Sequence, residues 1–343
     1  MNEPKNILLV RTDRIGDVIL SLPLVEIIKK HYPNSKVTFL LRNYTKALAE
    51  NYPGIDNVLI LKEENGNTFL FENISEIKKH NFDSCIIVYP TFKIALILFL
   101  SGIKNRIGTG YRWYSFFFNK KIYEHRKYGE KHELEYNVAL LNKLGIDEKI
   151  NENTVSFNIQ VQEHSEQFVR KILAETNYKN ELPTVIIHPG SSGSAVDLPI
   201  SKFKELASLM AQQLKANIVL TGSESEKNIC NEINEMNNFI NLAGKFDLSQ
   251  LIAVINKSDL LIANSTGPIH IAAALGKNVI GFYPKIAACS PNRWGPYTNK
   301  KNIFMPEITC SNCTKKQCEK LNCMNSININ EVFEAAKKIT IDN

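Results

Sequence analysis

The chain carries one local pattern twice. An apolar quartet, Ile7-Leu8-Leu9-Val10, runs into a polar loop reaching Gly16, and an amphipathic helix is expected over 17–30, with Val18, Leu22, Val25 and Ile28 at helical spacing. A second quartet, Thr184–Ile187, leads into a loop rich in Gly, Ser and Pro (188–199) and then a helix over 201–214. Short apolar runs alternating with helices imply a mostly parallel sheet covered on both faces by those helices. More strands are expected at 36–41, 57–60 and 84–88, and again at 217–220, 260–263 and 278–283. Helices should cover 226–237, 249–256 and 268–275. Between the two series lies a looser polar stretch, 151–181, with one helix at about 162–175. The 343 residues suffice for two domains of roughly 100–200 residues each. The reading is therefore α/β, two Rossmann-like doubly wound domains over 1–165 and 166–343. Ligands of such sheets bind beyond the carboxyl ends of the strands, so the informative loops are 11–16, 188–199, 221–226 and 264–268.

Composition narrows the class. Hydrophobic residues make up 44% of the chain and charged ones 22%, which fits a folded globular protein and excludes a disordered or fibrous one. The formal net charge of +6 is unevenly spread: between Gly102 and His132, eight Lys and Arg oppose only Glu124 and Glu130. Such a segment suits an anionic partner, whether phosphorylated glycolipid, anionic membrane surface or nucleic acid, or is simply a solvated face. Tyr111, Trp113, Tyr114 and Phe116–Phe118 interleave with it, and basic plus aromatic residues fit a sugar–lipid at a membrane interface, unless the aromatics, Phe116–Phe118 above all, are core. The first apolar run stops at Arg11, too early for a secretory segment. The longest, Ile94–Leu100, falls short of the roughly 20 residues that span a bilayer. A cytoplasmic protein, peripheral on the inner membrane at most, is expected. No GxGxxG follows a strand and no P-loop occurs, which disfavours a dinucleotide-dependent dehydrogenase; Gly108-Thr109-Gly110 is only a fragment.

The densest chemical signal is Asn264-Ser265-Thr266-Gly267-Pro268-Ile269-His270. It reads as strand end, tight turn and helix start: Ser265 or Thr266 can cap, Gly267 permits close backbone approach, and Pro268 suits the first helical turn. The unpaired N–H groups and the helix dipole make an anion site, with His270 in reach of a phosphate oxygen. A capped helix with a packed histidine would use the same residues. The N-terminal counterpart, Arg11-Thr12-Asp13-Arg14-Ile15-Gly16-Asp17, offers two carboxylates. Sugar transfer with inversion needs a general base for the acceptor hydroxyl. Asp17 opens a helix, whose dipole favours negative charge there. Asp13 competes for the role, and either could merely cap.

Together, Leu9–Pro23, His188-Pro189-Gly190-Ser191, Gly222-Ser223-Glu224 and Ser265–His270 resemble, in order and over nearly the whole chain, the motifs of glycosyltransferase family nine, the ADP-heptose:lipopolysaccharide heptosyltransferases. The resemblance implies the GT-B architecture, an acceptor on the first domain, a nucleotide sugar on the second, and inverting displacement without a cofactor or catalytic metal. In relatives of this architecture the C-terminal helix, here 330–339, often packs back on the first domain. Residue by residue, the resemblance makes Asp17 the base. It assigns Ser191, Ser192, Thr266, Gly267 and His270 to the donor diphosphate, and Glu226, Lys245 and Phe246 to the nucleoside. Arg14, Arg106 and Arg112 are the candidate acceptor contacts. The expected partners are an ADP-sugar, a phosphorylated glycolipid and the inner-membrane surface, with no nucleic acid.

One departure stands out. Where the family commonly carries a basic residue and, two places on, a Trp, this chain has Val196 and Leu198, with Asp197 between. Arg14, Lys202 or Lys245 is the expected substitute for the missing cation. The rival readings are another nucleotide sugar, a protein acceptor, or a nucleotide-sugar-binding protein without turnover. Cys310, Cys313, Cys318 and Cys323 form the remaining cluster, four of the seven cysteines. They could hold a structural zinc or iron, or remain thiols; family members that carry a similar cluster point to a structural role.

Overall fold

The computed structural model describes residues 3–235, 239–309 and 313–341. Its chain forms two units: Met1–Arg126 with Lys131–Gln160, and Lys127–Glu130 with Val161–Asn343. The expected boundary at residue 165 would cut a helix. All of α6 (Glu163–Ala174) instead goes with the second unit, where Ser165 Oγ lies 2.9 Å from Ser249 Oγ.

The first unit is a six-stranded sheet in the order β3-β2-β1-β6-β7-β8, every pairing parallel. Its strands are β1 (Asn6–Val10), β2 (Lys36–Leu41), β3 (Asn57–Ile60), β6 (Ser84–Ile87), β7 (Asn105–Thr109) and β8 (Lys120–Ile122). A small antiparallel hairpin, β4 (Glu63–Glu64) with β5 (Asn67–Thr68), interrupts the series. Helices α1 (Ile15–Ile19), α2 (Pro23–His31), α3 (Leu70–Lys79), α4 (Phe92–Leu100) and α5 (Glu133–Ala139) connect and cover the sheet. The single helix expected over 17–30 is broken into α1 and α2. Pro23 has no N–H to give the carbonyl of Ile19, so the chain pauses at 20–22. Buried Asn137 of α5 fills the gap by donating to the Leu20 carbonyl (2.9 Å).

The second unit repeats the topology, β11-β10-β9-β12-β13-β14, again all parallel. The strands are β9 (Thr184–His188), β10 (Asn217–Leu220), β11 (Ile240–Asn241), β12 (Leu260–Asn264), β13 (Asn278–Phe282) and β14 (Lys301–Phe304). Its helices are α6, α7 (Ile200–Gln213), α8 (Lys227–Asn234), α9 (Leu248–Asn256), α10 (Gly267–Ala274), α11 (Pro291–Trp294), α12 (Lys315–Lys320) and α13 (Ile329–Ile341). The C-terminal helix packs in this unit's own core. Val332, Phe333 and Ala336 of α13 join Phe203, Leu206 and Met210 of α7 in one buried cluster, each fully buried Val or Phe contributing about 1.5–3 kcal/mol.

Both sheets reverse their winding once, between β1 and β6 and between β9 and β12. Diverging connections leave a crevice at the carboxyl ends of these central strands. Each unit places its densest polar chemistry there.

Candidate active site

In the first unit the chain leaves β1 at Arg11, whose side chain is almost wholly buried (1% exposed). Burying a guanidinium is costly unless carboxylates surround it, and three do. Arg11 Nε donates to Asp13 Oδ1 (2.7 Å), Nη2 donates to Asp17 Oδ1, and Nη1 lies 3.6 Å from Glu133 Oε1. Burial opposes the Arg11 charge, but the carboxylates of Asp17, Asp13 and Glu133 overcome it and hold the guanidinium more firmly protonated than usual. Glu133, buried at the start of α5, is braced from the other side by Arg126. Asp17 occupies the first turn of α1, partly open to solvent. Burial pushes the Asp13 carboxyl up to about 7, against the pull of Arg11 and with help from the neighbouring Asp17. One guanidinium thus serves two carboxylates in the loop 11–17.

In the second unit β9 ends at His188 and opens the loop 188–199. The Glu226 carboxylate lies against the backbone of Gly190, where a Cβ would come 2.0 Å from Glu226 Oε1 and push that side chain aside. Ser192 Oγ donates to the same oxygen (3.4 Å), and the backbone N–H and hydroxyl of Ser223 donate to Oε2 at 2.7 and 2.8 Å. Burial opposes ionisation of Glu226, but the Ser223 N–H and the nearby His188 imidazole (3.9 Å) keep its carboxyl below the usual range. Burial depresses the His188 pKa despite that carboxylate, and its Nδ1 lies 3.0 Å from Thr221 Oγ1. Gly244 N donates to Gly222 O (2.8 Å), which sets the Lys245-Phe246 turn beside the Glu226 turn. Lys245 is exposed, while half-buried Phe246 meets Phe168 edge-on.

Beyond β12, Thr266 is the extended N-cap of α10, and its side chain makes no capping bond. Gly267 and Pro268 form the first turn, free of acidic residues, and His270 is buried within it. Buried Asn264 ties this turn to the loop 188–199: Oδ1 accepts from Leu198 N (2.9 Å) and Nδ2 donates to Pro189 O (2.6 Å). Within this unit, Ser191, Ser192, Glu226, Thr266, Gly267 and His270 therefore lie on the connections and helix start that follow neighbouring strands β9, β10 and β12.

The remaining candidates are dispersed. Arg14 is the exposed N-cap of α1, and Arg112 is exposed beside Trp113. Arg106 donates to the carbonyls of Phe117 (2.7 Å) and Ile103 and lies over the Phe99 ring, which ties β7 to its following turn. Phe117 and Phe118 are core, while Phe116 and Trp113 stand out at 63% and 73% exposed. Val196 and Leu198 are buried in the core of the second unit. Lys202 pairs with Glu205 (3.5 Å). Cys318 and Cys323 are buried in the same apolar cluster as Val196, and Cys313 is half-buried. Cys310 lies outside the described residues; among those described, no group of three or more His, Cys, Asp or Glu is placed to hold a metal ion. Nor is any described helix long and apolar enough to cross a membrane.

Four residues without an assigned role at sequence level organise these sites: Arg11, Glu133, His188 and Asn264. Arg11, His188 and Asn264 stood inside the motifs, each at a strand end. Glu133 had no local signal, because its partner Arg11 is remote in sequence.

Known proteins resemble this chain over most of its length. A family model described as glycosyltransferase family 9 (heptosyltransferase) matches residues 71–324. A Haemophilus influenzae protein known only by the general description of glycosyltransferase is 30% identical over 317 residues, covering 88% of this chain and 89% of its own. The lipopolysaccharide core heptosyltransferase OpsX of the same organism is 26% identical over 310 residues, covering 88% and 84%. The solved Escherichia coli ADP-heptose lipopolysaccharide heptosyltransferase II superposes with a TM-score of 0.78 at 18% identity, covering 98% of this chain and 99% of that one, so the two share the GT-B fold. With the family model covering most of the chain and a relative 30% identical over 88% of it, the chain belongs to glycosyltransferase family 9, the heptosyltransferases.

Proposed function

We propose that the chain transfers a heptose from ADP-heptose to a lipopolysaccharide inner-core acceptor, with inversion and without a catalytic metal. The observation that carries this reading is the Gly190–Ser192–Glu226 cradle, where a carboxylate held by Ser223 packs against bare glycine backbone. Such a carboxylate suits the two hydroxyls of a ribose. Thr266, Gly267 and His270, at an acid-free helix start, suit the diphosphate. The names of the heptosyltransferase relatives support the sugar and acceptor.

In this mechanism Asp17 takes the proton of the acceptor hydroxyl as its oxygen bonds to the anomeric carbon of the donor. The bond from that carbon to the phosphate oxygen breaks, and its electron pair leaves with ADP. Arg11 holds Asp17 in place. The α10 start and His270 stabilise the charge that grows on the diphosphate. The exposed Trp113, stacked on Phe92 at 5.0 Å, with exposed Phe116 and Arg112 nearby in sequence, suits a phosphorylated glycolipid at the inner-membrane surface.

Isothermal titration with ADP, UDP and GDP tests the donor. Preference for ADP is expected. Preference for another nucleotide would replace the donor while keeping the family, and binding of none would overturn the reading.

A further inference from the structure

The donor loop has no basic residue of its own. Between Gly190 and Pro199 its one charged side chain is Asp197, and the apolar side chains of Val196 and Leu198 are sunk in the core. A nucleotide-sugar diphosphate nevertheless gains negative charge as it departs, and a cation nearby would stabilise that change. The structure brings one from elsewhere in the second unit. Lys315, the first residue of α12, donates from Nζ to the carbonyl of Gly193 at 3.0 Å. Gly193 follows Ser192 directly, and Ser192 Oγ is bonded to Glu226. The lysine head therefore sits one residue from the cradle assigned to the donor.

Two features fit this placement. Ser192 and Gly193 both have left-handed backbone (φ 49° and 73°), forming the turn that presents the Gly193 carbonyl to Lys315. Cys318, on the buried side of α12, belongs to the same apolar cluster as Val196. The residue standing where the loop's own cation would be thus helps build the core that seats α12. An ammonium has three donors. The Gly193 carbonyl takes one; Glu319 pairs with the charge at 3.8 Å, beyond hydrogen-bond range, and the Asp197 carboxyl feels it too, so these carboxylates hold the ammonium at the loop without using up its donors. The side chain is 42% exposed, so its head meets solvent and can meet a phosphate.

We propose that Lys315 is the cation that binds the donor diphosphate, supplied by the cysteine-rich C-terminal segment instead of by the donor loop. This rests on the reading of the second unit as a nucleotide-sugar site. It makes α12 part of the donor site and explains how the chain keeps its donor motifs with Val at position 196.

The test is titration of ADP, AMP and adenosine into the full-length protein and three variants. Lys315→Ala should weaken ADP binding about tenfold or more, weaken AMP less, and leave adenosine and the melting temperature unchanged. Lys315→Arg should restore most of the ADP affinity. Lys316→Ala, an exposed neighbour on the same helix, should match wild type. Unchanged ADP affinity in Lys315→Ala would overturn the proposal. So would an equal loss for ADP and adenosine, since that marks a loop clamp and not a phosphate contact. Wild-type preference for UDP or GDP would overturn the ADP assignment alone, and the comparison would run with that diphosphate and its nucleoside. Wild type that binds no nucleoside diphosphate would overturn both.

Discussion

The two units share a strand order and put opposite chemistry on it. At the first switch point a carboxylate, Asp17, occupies the first turn of α1, and the loop before it is a knot of buried charge around Arg11. At the second, α10 starts with Gly267 and Pro268, carries no acid in its first turn, and is reached by serine- and glycine-rich loops. A helix start filled by its own carboxylate repels an anion, whereas one left open attracts it. In the proposed mechanism the same fold thus holds a base at one crevice and an anionic leaving group at the other, and the sign of one residue near the helix start separates the two.

The contrast can be broken most severely at Arg11. Arg11→Ala leaves Asp13, Asp17 and Glu133 without their shared counter-charge. We expect a loss of about 3–5 kcal/mol in urea unfolding, whereas a solvent-exposed arginine would give less than 1 kcal/mol. In the second unit Asn264→Ala unpairs the buried Leu198 N–H and Pro189 carbonyl. It should cost about 2–3 kcal/mol, read as a lower melting temperature and rescued in part by saturating ADP. Smaller still, Gly190→Ala forces Glu226 aside and should weaken ADP and adenosine alike by about tenfold, with little change in stability. Equal ADP affinity in that variant would mean that Glu226 does not face the nucleoside.

The mildest prediction concerns pH. The unfolded Asp13 carboxyl ionises near pH 4, but in the folded protein burial raises it to about 7. Its contribution to stability is therefore full below about pH 4 and is lost as pH rises toward 7. The stability of wild type relative to Asp13→Asn should fall by about 1–2 kcal/mol between pH 5 and pH 6. A difference that stays flat or grows over that range would show that Asp13 is ionised throughout.

Much of this was legible in the chain because it is local. The quartets at 7–10 and 184–187, the turn Thr266-Gly267-Pro268, and the period of α7 and α13 all declare themselves within a few residues. The break at 20–22 was also written, in Pro23, but the apolar period ran through it and masked the stop. Strands β4, β5, β7, β8, β11 and β14 were missed because each is very short or largely polar and lacks an apolar run of its own. The remote partners of Arg11 and Gly193 could not be read at all. Glu133 and Lys315 each lie 122 positions from the residue they meet, and only the packing of α5 and α12 brings them there.

The central claim, that one unit supplies the base and the other binds the donor, is tested most directly by measuring Asp17→Asn twice, for ADP affinity and for sugar transfer. The account predicts wild-type ADP affinity with transfer reduced by a factor of about 10²–10⁴. Transfer at the wild-type rate would contradict it, and so would loss of ADP binding in step with loss of transfer.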